Sequence, residues 1–156
     1  MNSLHSATAS FPIGNITLFL SEHGELMRLR LQSELPETPV SDPPSMRIFQ
    51  LLTRYFAGEN VSFHEIPLKL EGTQFQCLVW NELMKIPYGA LTTYGAIARK
   101  LGIPSGARAI GNAVHKNPIP IIIPCHRVIA SNGAITGYAY GLPMKEWLLG
   151  IEKRHI

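Results

Sequence analysis

Apolar and polar residues alternate with a period of two in GNITLFLSEHGELMRLRL, where Met27, Leu29 and Leu31 interleave with Arg28 and Arg30. That period predicts two strands joined through Glu22–Glu25 as a hairpin. LPETPVSDPPS follows, and four prolines in eleven residues make it a connector rather than helix or central strand. The period then changes to three and four: Ile48, Leu51, Leu52, Tyr55 and Phe56 predict a helix capped by Ser45. A short extended piece around Val61 and Phe63 closes an N-terminal lobe that ends near Glu71.

Thr73 and Gln76 form a capping-box pattern ahead of a helix with Phe75, Leu78, Val79 and Leu83 as its apolar stripe. Cys77 lies on that helix and is expected to be a buried structural thiol. After the IPYG turn, Thr93 caps a helix from Tyr94 to about Leu101 that stops at Gly102, and Ser105 caps another to about Lys116. Two short helices across a tight turn read as a helix-turn-helix. IPIIIP predicts a buried strand, VIASNGAI a hairpin turning at Asn132-Gly133, and Pro143 the first turn of a last helix packed through Met144, Trp147, Leu148 and Ile151. Glu152, four residues after Leu148, can lie at the edge of that packed face.

At 156 residues and 46% apolar, the chain can bury a core without staples, as one domain or two small lobes. Cys77 and Cys125 stand far apart with no CxxC or Cys/His cluster, so neither a disulfide framework nor a metal site is suggested, and a reducing cytoplasm is expected. No apolar run reaches membrane-spanning length and MNSLHSATAS does not resemble a signal peptide. The net charge of +3 hides a strong asymmetry. Leu83–Lys145 contains no acid but holds Lys85, Arg99, Lys100, Arg108, Lys116, Arg127 and Lys145, so this region predicts a polyanionic partner.

The second helix of the helix-turn-helix carries Ala107, Ala109, Gly111 and Ala113, too short to read base edges in a major groove; Arg108 is its one long cation. Small residues there fit either close approach to a ligand or tight helix packing. The candidate chemistry lies in PCHR. A thiol reacts as thiolate and needs a base and positive surroundings, which His126 and Arg127 can supply. Neighbours on an extended strand point apart, so a water or a turn would have to connect Cys125 and His126.

IPCHRVI, with VWNELMKIPYG, TTYGAIA, ARAIGNAVHKNPIP and GLPMKEWLLGIE in the same order, resembles the O6-alkylguanine-DNA alkyltransferases over about residues 73–152. The resemblance implies an α/β, ribonuclease H-like N-terminal lobe over 1–71. It implies a mostly α domain over 72–156 containing the helix-turn-helix and the reactive cysteine. It further implies that Cys125 accepts the alkyl group, His126 is its water-mediated base, Glu152 orients that histidine, Asn117 braces the turn before the cysteine and Tyr94 lies beside the guanine. Arg108, with Ala107, Ala109, Gly111, Thr93 and Ser105, would meet the minor groove of double-stranded DNA, Arg108 filling the gap left by a flipped nucleotide. Val128, Tyr138, Ala139 and Tyr140 would line the substrate pocket. A monomer that needs no cofactor and reacts once is implied. Ala139 and Tyr140 differ from the serine and glycine of some relatives, so a pocket narrowed toward small alkyl groups is expected. The competing readings are a lesion-recognising relative without repair activity, which would lack Cys125, and a sequence-specific regulator with a structural cysteine.

Overall fold

The computed structural model describes residues 5–154 and divides into two compact units, Met1–Glu71 and Gly72–Ile156. In the first, β1 (His5–Phe11), β2 (Gly14–Leu20) and β3 (Leu26–Arg30) form an antiparallel sheet in that order. The β2–β3 hairpin is the one expected, with a register shift at Phe19/Leu20; β1, which pairs Thr8 with Thr17, was not predicted. Successive burial of Ile16, Thr17 and Leu18 means that both faces of the central strand are covered. The two buried threonine hydroxyls satisfy one another at 2.7 Å, and Thr17 donates to Ser33 Oγ at 2.6 Å.

Helix α1 (Pro43–Phe56) begins earlier than expected. Asp42, not Ser45, is its cap and accepts from Ser45 N at 3.0 Å; Pro43 and Pro44 occupy the first turn, where a missing N–H costs nothing. Its inward face is Ile48, Phe49, Leu51, Leu52 and Tyr55. The piece around Val61 and Phe63 is loop, and the chain rejoins the sheet only through a bridge between Leu68 and Leu26.

In the second unit, α2 (Gln74–Leu83) has the capping box of Thr73 and Gln76. Its buried face is Val79, Trp80 and Leu83, whereas Leu78 is 51% exposed and Cys77 is only partly buried, so two expectations for this helix fail. The inward face is centred on Val79, Trp80 and Leu83, with the Trp80 indole donating from Nε1 to Ala113 O at 2.9 Å, and Leu78 falls on the opposite side of the helix. Helix α3 (Tyr94–Lys100) is capped by Thr93, and α4 (Ala107–His115) follows the turn at Gly102, where φ is +78°. The cap of α4 is Gly106 rather than Ser105, with no side-chain bond. Ile110, Ala113 and Val114 face inward; Ala107, Arg108 and Ala109 are exposed.

Residues 118–124 do not form the expected strand. Pro118, Pro120 and Pro124 remove ladder donors, and the segment folds into a tight buried loop with Ile121 at φ +74°. Cys125–Arg127 form a 3-10 turn, and β5 (Val128–Ile129) pairs in parallel with β4 (Thr92–Thr93) instead of entering a hairpin. Only the turn at Asn132–Gly133 survives from that expectation. Helix α5 (Leu142–Arg154) closes the unit. Among the described residues no helix is long and apolar enough to cross a membrane.

The small residues of α4 are not equivalent. A Cβ on Gly106 would lie 2.9 Å from Ile103 O and 2.7 Å from Ile103 Cδ1, whereas one on Gly111 would meet the Tyr94 ring at 3.8 Å. Gly106→Ala is expected to destabilise by about 1–3 kcal/mol, and Gly111→Ala, in mid-helix, to stabilise by up to about 1 kcal/mol. Urea unfolding midpoints check both signs, and the reverse order would contradict the packing described.

Candidate active site

The buried loop and the 3-10 turn bring Cys125, His126 and Arg127 to the inner end of α5. Asn117 follows the last turn of α4 and spans the loop: its Nδ2 donates to Ile123 O at 2.7 Å, and its Oδ1 accepts from Ile119 N at 2.9 Å. It therefore braces the turn, and its side chain favours the ionised form of the thiol. Burial pushes the Cys125 thiol up to about 11, against the opposing pull of the Asn117 side chain, the Lys145 ammonium and the local backbone. The resting sulfur is a protonated thiol.

His126 and Glu152 are both completely buried, with Nε2 and Oε2 2.5 Å apart. Burial would raise the Glu152 pKa, but the hydrogen bonds and charges of His126 and Arg127 outweigh it and hold the carboxyl far below the usual range. The acid is an anion, so Nε2 carries the proton and donates it. Burial likewise holds His126 below its ordinary value of 6.5, in opposition to Glu152 and with help from Arg127 and Lys145. The imidazole is neutral, and the ring nitrogen turned away from Glu152, Nδ1, is the basic one.

Gly89, Tyr88 and Lys145 went unassigned in the sequence, and Arg127, expected only to lend positive surroundings to the thiol, binds Glu152 instead. Arg127 donates from Nε and Nη2 to Glu152 at 2.8 and 3.1 Å, and from Nη1 to Ile86 O at 2.7 Å. Gly89 N donates to Glu152 Oε1 at 3.2 Å, which ties the IPYG turn to the same carboxylate. Tyr88 lies against the guanidinium, 5.8 Å from ring centre to Cζ. Lys145, fully buried, donates from Nζ to Val128 O at 2.6 Å, Thr136 O at 2.8 Å and Gly137 O at 3.2 Å. The usable signal was spacing: Lys145 and Glu152 are seven residues apart, hence on the same helix face as Leu148. Since both buried cations come from the acid-free stretch, its exposed charge is carried by Lys85, Arg99, Lys100, Arg108 and Lys116.

A cavity of 60 Å³ opens beside the sulfur, lined by Cys125, Asn117, Tyr94, Tyr138, Ala139 and Tyr140 among others, with Gly111 on the α4 side. Val128 does not line it; its side chain is buried elsewhere and its carbonyl holds Lys145. Tyr94 Oη donates to Thr136 O at 3.2 Å, and burial raises its pKa, so the phenol keeps its proton. The Tyr138–Tyr140 segment lies between Gly137 and Gly141, both at positive φ. Thr93 Oγ1 is occupied by Ala96 N as the α3 cap, while Ser105, Ala107, Arg108 and Ala109 form part of an exposed surface. Among the described residues, no three His, Cys, Asp or Glu side chains cluster as metal ligands.

Two family models match. One, described as the 6-O-methylguanine DNA methyltransferase DNA binding domain, covers residues 74–154; the other, described as the ribonuclease-like domain, covers residues 4–70. A methylated-DNA–protein-cysteine methyltransferase of Methanosarcina acetivorans is 46% identical over 96% of this chain and 98% of its own, and one of Mycobacterium bovis is 43% identical over 96% and 93%. A crystal structure of Mycobacterium tuberculosis OGT in complex with DNA aligns at TM-score 0.85 and 42% identity over 97% of this chain and 94% of that one.

The network makes stability depend on pH in one direction. Glu152 in the folded chain titrates below its ordinary value of 4.5, so its contribution is complete above about pH 4.5 and is lost as pH falls further. His126, also depressed, contributes fully above 6.5 and likewise loses stability on acidification. Stability should therefore fall steadily below about pH 6.5. Glu152→Gln, which strands the Arg127 charge, should cost about 3 kcal/mol at pH 7 and flatten the acid limb; urea unfolding across pH measures both.

Proposed function

We propose, for a chain that belongs to the 6-O-methylguanine DNA methyltransferase family, that it repairs DNA by moving an alkyl group from O6-alkylguanine to its own Cys125. The observation that carries the residue assignment is a buried thiol lining a cavity beside an imidazole made neutral, and given one tautomer, by an ionised glutamate. His126 Nδ1 takes the thiol proton, directly or through one water. Sγ then attacks the alkyl carbon in line; an S–C bond forms, the C–O6 bond breaks and its electron pair passes to the guanine. Tyr94, holding its proton, donates to a ring nitrogen so that the base does not leave as a bare anion. Turning Tyr94 from Thr136 O strands nothing, because Lys145 still donates to that carbonyl. No cofactor enters the balance, and a thioether resists water, so each molecule reacts once.

The Tyr138–Tyr140 segment is the part of the cavity wall flanked by glycines at positive φ. We assign the opening motion to that segment. The flipped base enters there, since the alkylated oxygen is unreachable in a stacked duplex. The exposed Ala107, Arg108 and Ala109 of α4 suit a minor groove: the alanines admit the backbone and Arg108 replaces the extruded nucleotide. The protein acts as a monomer in a reducing cytoplasm. A sequence-specific regulator is disfavoured by the same face, which offers one long polar side chain for readout.

Incubation with a duplex containing one O6-methylguanine should add one CH2 to the Cys125 peptide, at no more than one per chain, and nothing in Cys125→Ser. Mass spectrometry reads it; an unmodified peptide overturns the assignment. With Tyr140 on the cavity wall, O6-benzylguanine should label Cys125 far more slowly, and equal rates would contradict the narrowed pocket.

A further inference from the structure

Among the described residues at least four hydrogen bonds reach Glu152, one of them from the histidine it serves. Arg127 supplies two, through Nε to Oε1 at 2.8 Å and Nη2 to Oε2 at 3.1 Å, and Gly89 N supplies the fourth at 3.2 Å. The guanidinium is itself fixed, with Nη1 on Ile86 O at 2.7 Å and Cζ over the Tyr88 ring at 5.8 Å from its centre. A buried ion pair of this kind is weak evidence for stability, since an apolar replacement of similar volume often does as well. What it does supply is a fixed charge and a filled carboxylate.

We propose that Arg127 is a positioning residue for the transfer: its fork fills the acceptor sites of Glu152, keeps the histidine proton on Nε2 and so reserves Nδ1 of His126 for the Cys125 proton. The inference rests on the reading of Cys125 as acceptor and His126 as base. Donation from Arg127 to both oxygens lowers the basicity of the carboxylate, so Glu152 accepts the Nε2–H hydrogen bond without taking its proton and the tautomer is kept. The guanidinium charge also opposes a second proton on the ring before Cys125 provides one. The charged and titratable groups around His126 are Glu152 and Lys145 from α5, with Cys125 and Arg127 on its own turn; Tyr88, from the turn after α2, faces Glu152 and Arg127. Lysine could not substitute, because a point charge cannot occupy both carboxylate oxygens with planar geometry.

Ring-15N spectra of His126, assigned by the signal lost in His126→Asn, test this without any alkyl donor. In the wild type, His126 should remain the neutral Nε2–H tautomer below pH 6.5. In Arg127→Gln its midpoint should rise by about one unit, a tenfold change in proton affinity, because a facing cation has gone. Arg127→Lys should move the midpoint the same way by less and show both neutral tautomers. It carries the test alone if the glutamine variant is too unstable. The acid limb of the single-turnover methyl-transfer rate should move with the midpoint in each variant. Unchanged midpoint and tautomer in the folded variants overturn the role of Arg127. Failure of the wild type to alkylate Cys125 would instead overturn the acceptor reading, leaving the spectra to decide for Arg127.

Discussion

One buried carboxylate holds the C-terminal unit's chemistry together. Glu152 comes from the last helix, His126 and Arg127 from the 3-10 turn, and Gly89 from the turn after α2, so segments more than sixty residues apart in sequence converge on two oxygens. Because a buried ionised group is tolerable only when its partners are present and correctly aimed, the network specifies one arrangement of these segments. The Cys125 position follows from it, with Asn117 fixing the loop from the other side.

The electrostatic consequence is a thiol that is inert by default. Burial makes the thiolate costly, and the base beside it is neutral and preset rather than already charged. Lys145 contributes twice: its charge favours the thiolate, and its three hydrogen bonds hold the main chain that carries Gly137 at the cavity wall. On that side the cavity wall carries Tyr138 and Tyr140, set between Gly137 and Gly141 at positive φ.

Much of this was legible in sequence, in a physically uneven way. Periodicity found α1, α2 and α5, and side-chain caps at Thr73 and Thr93 located helix starts within a residue. The motif resemblance supplied Cys125, His126, Glu152, Asn117 and Tyr94, all of which the fold brings to the sulfur or its base. What failed was local propensity under tertiary override. IPIIIP has the composition of a strand but too few N–H donors to be one, and the expected opposition of Cys125 and His126 vanished with it. Leu78 fitted one helical stripe, but the buried face is the one centred on Val79, Trp80 and Leu83, where the indole N–H also finds Ala113 O. Lys145 was read only as part of the basic stretch and Arg127 as that and as a positive neighbour of the thiol; their burial was not legible because formal charge carries no information about it.

The central claim is that the Glu152–His126 pair makes the Cys125 thiol reactive near neutral pH although burial has raised it to about 11. The most direct measurement is the single-turnover rate of methyl transfer from an O6-methylguanine duplex at pH 7.5 for the wild type and folded Glu152→Gln, with DNA affinity measured in parallel. The account predicts a rate lower by about 10²-fold or more at unchanged affinity. Equal rates in the two proteins would contradict it.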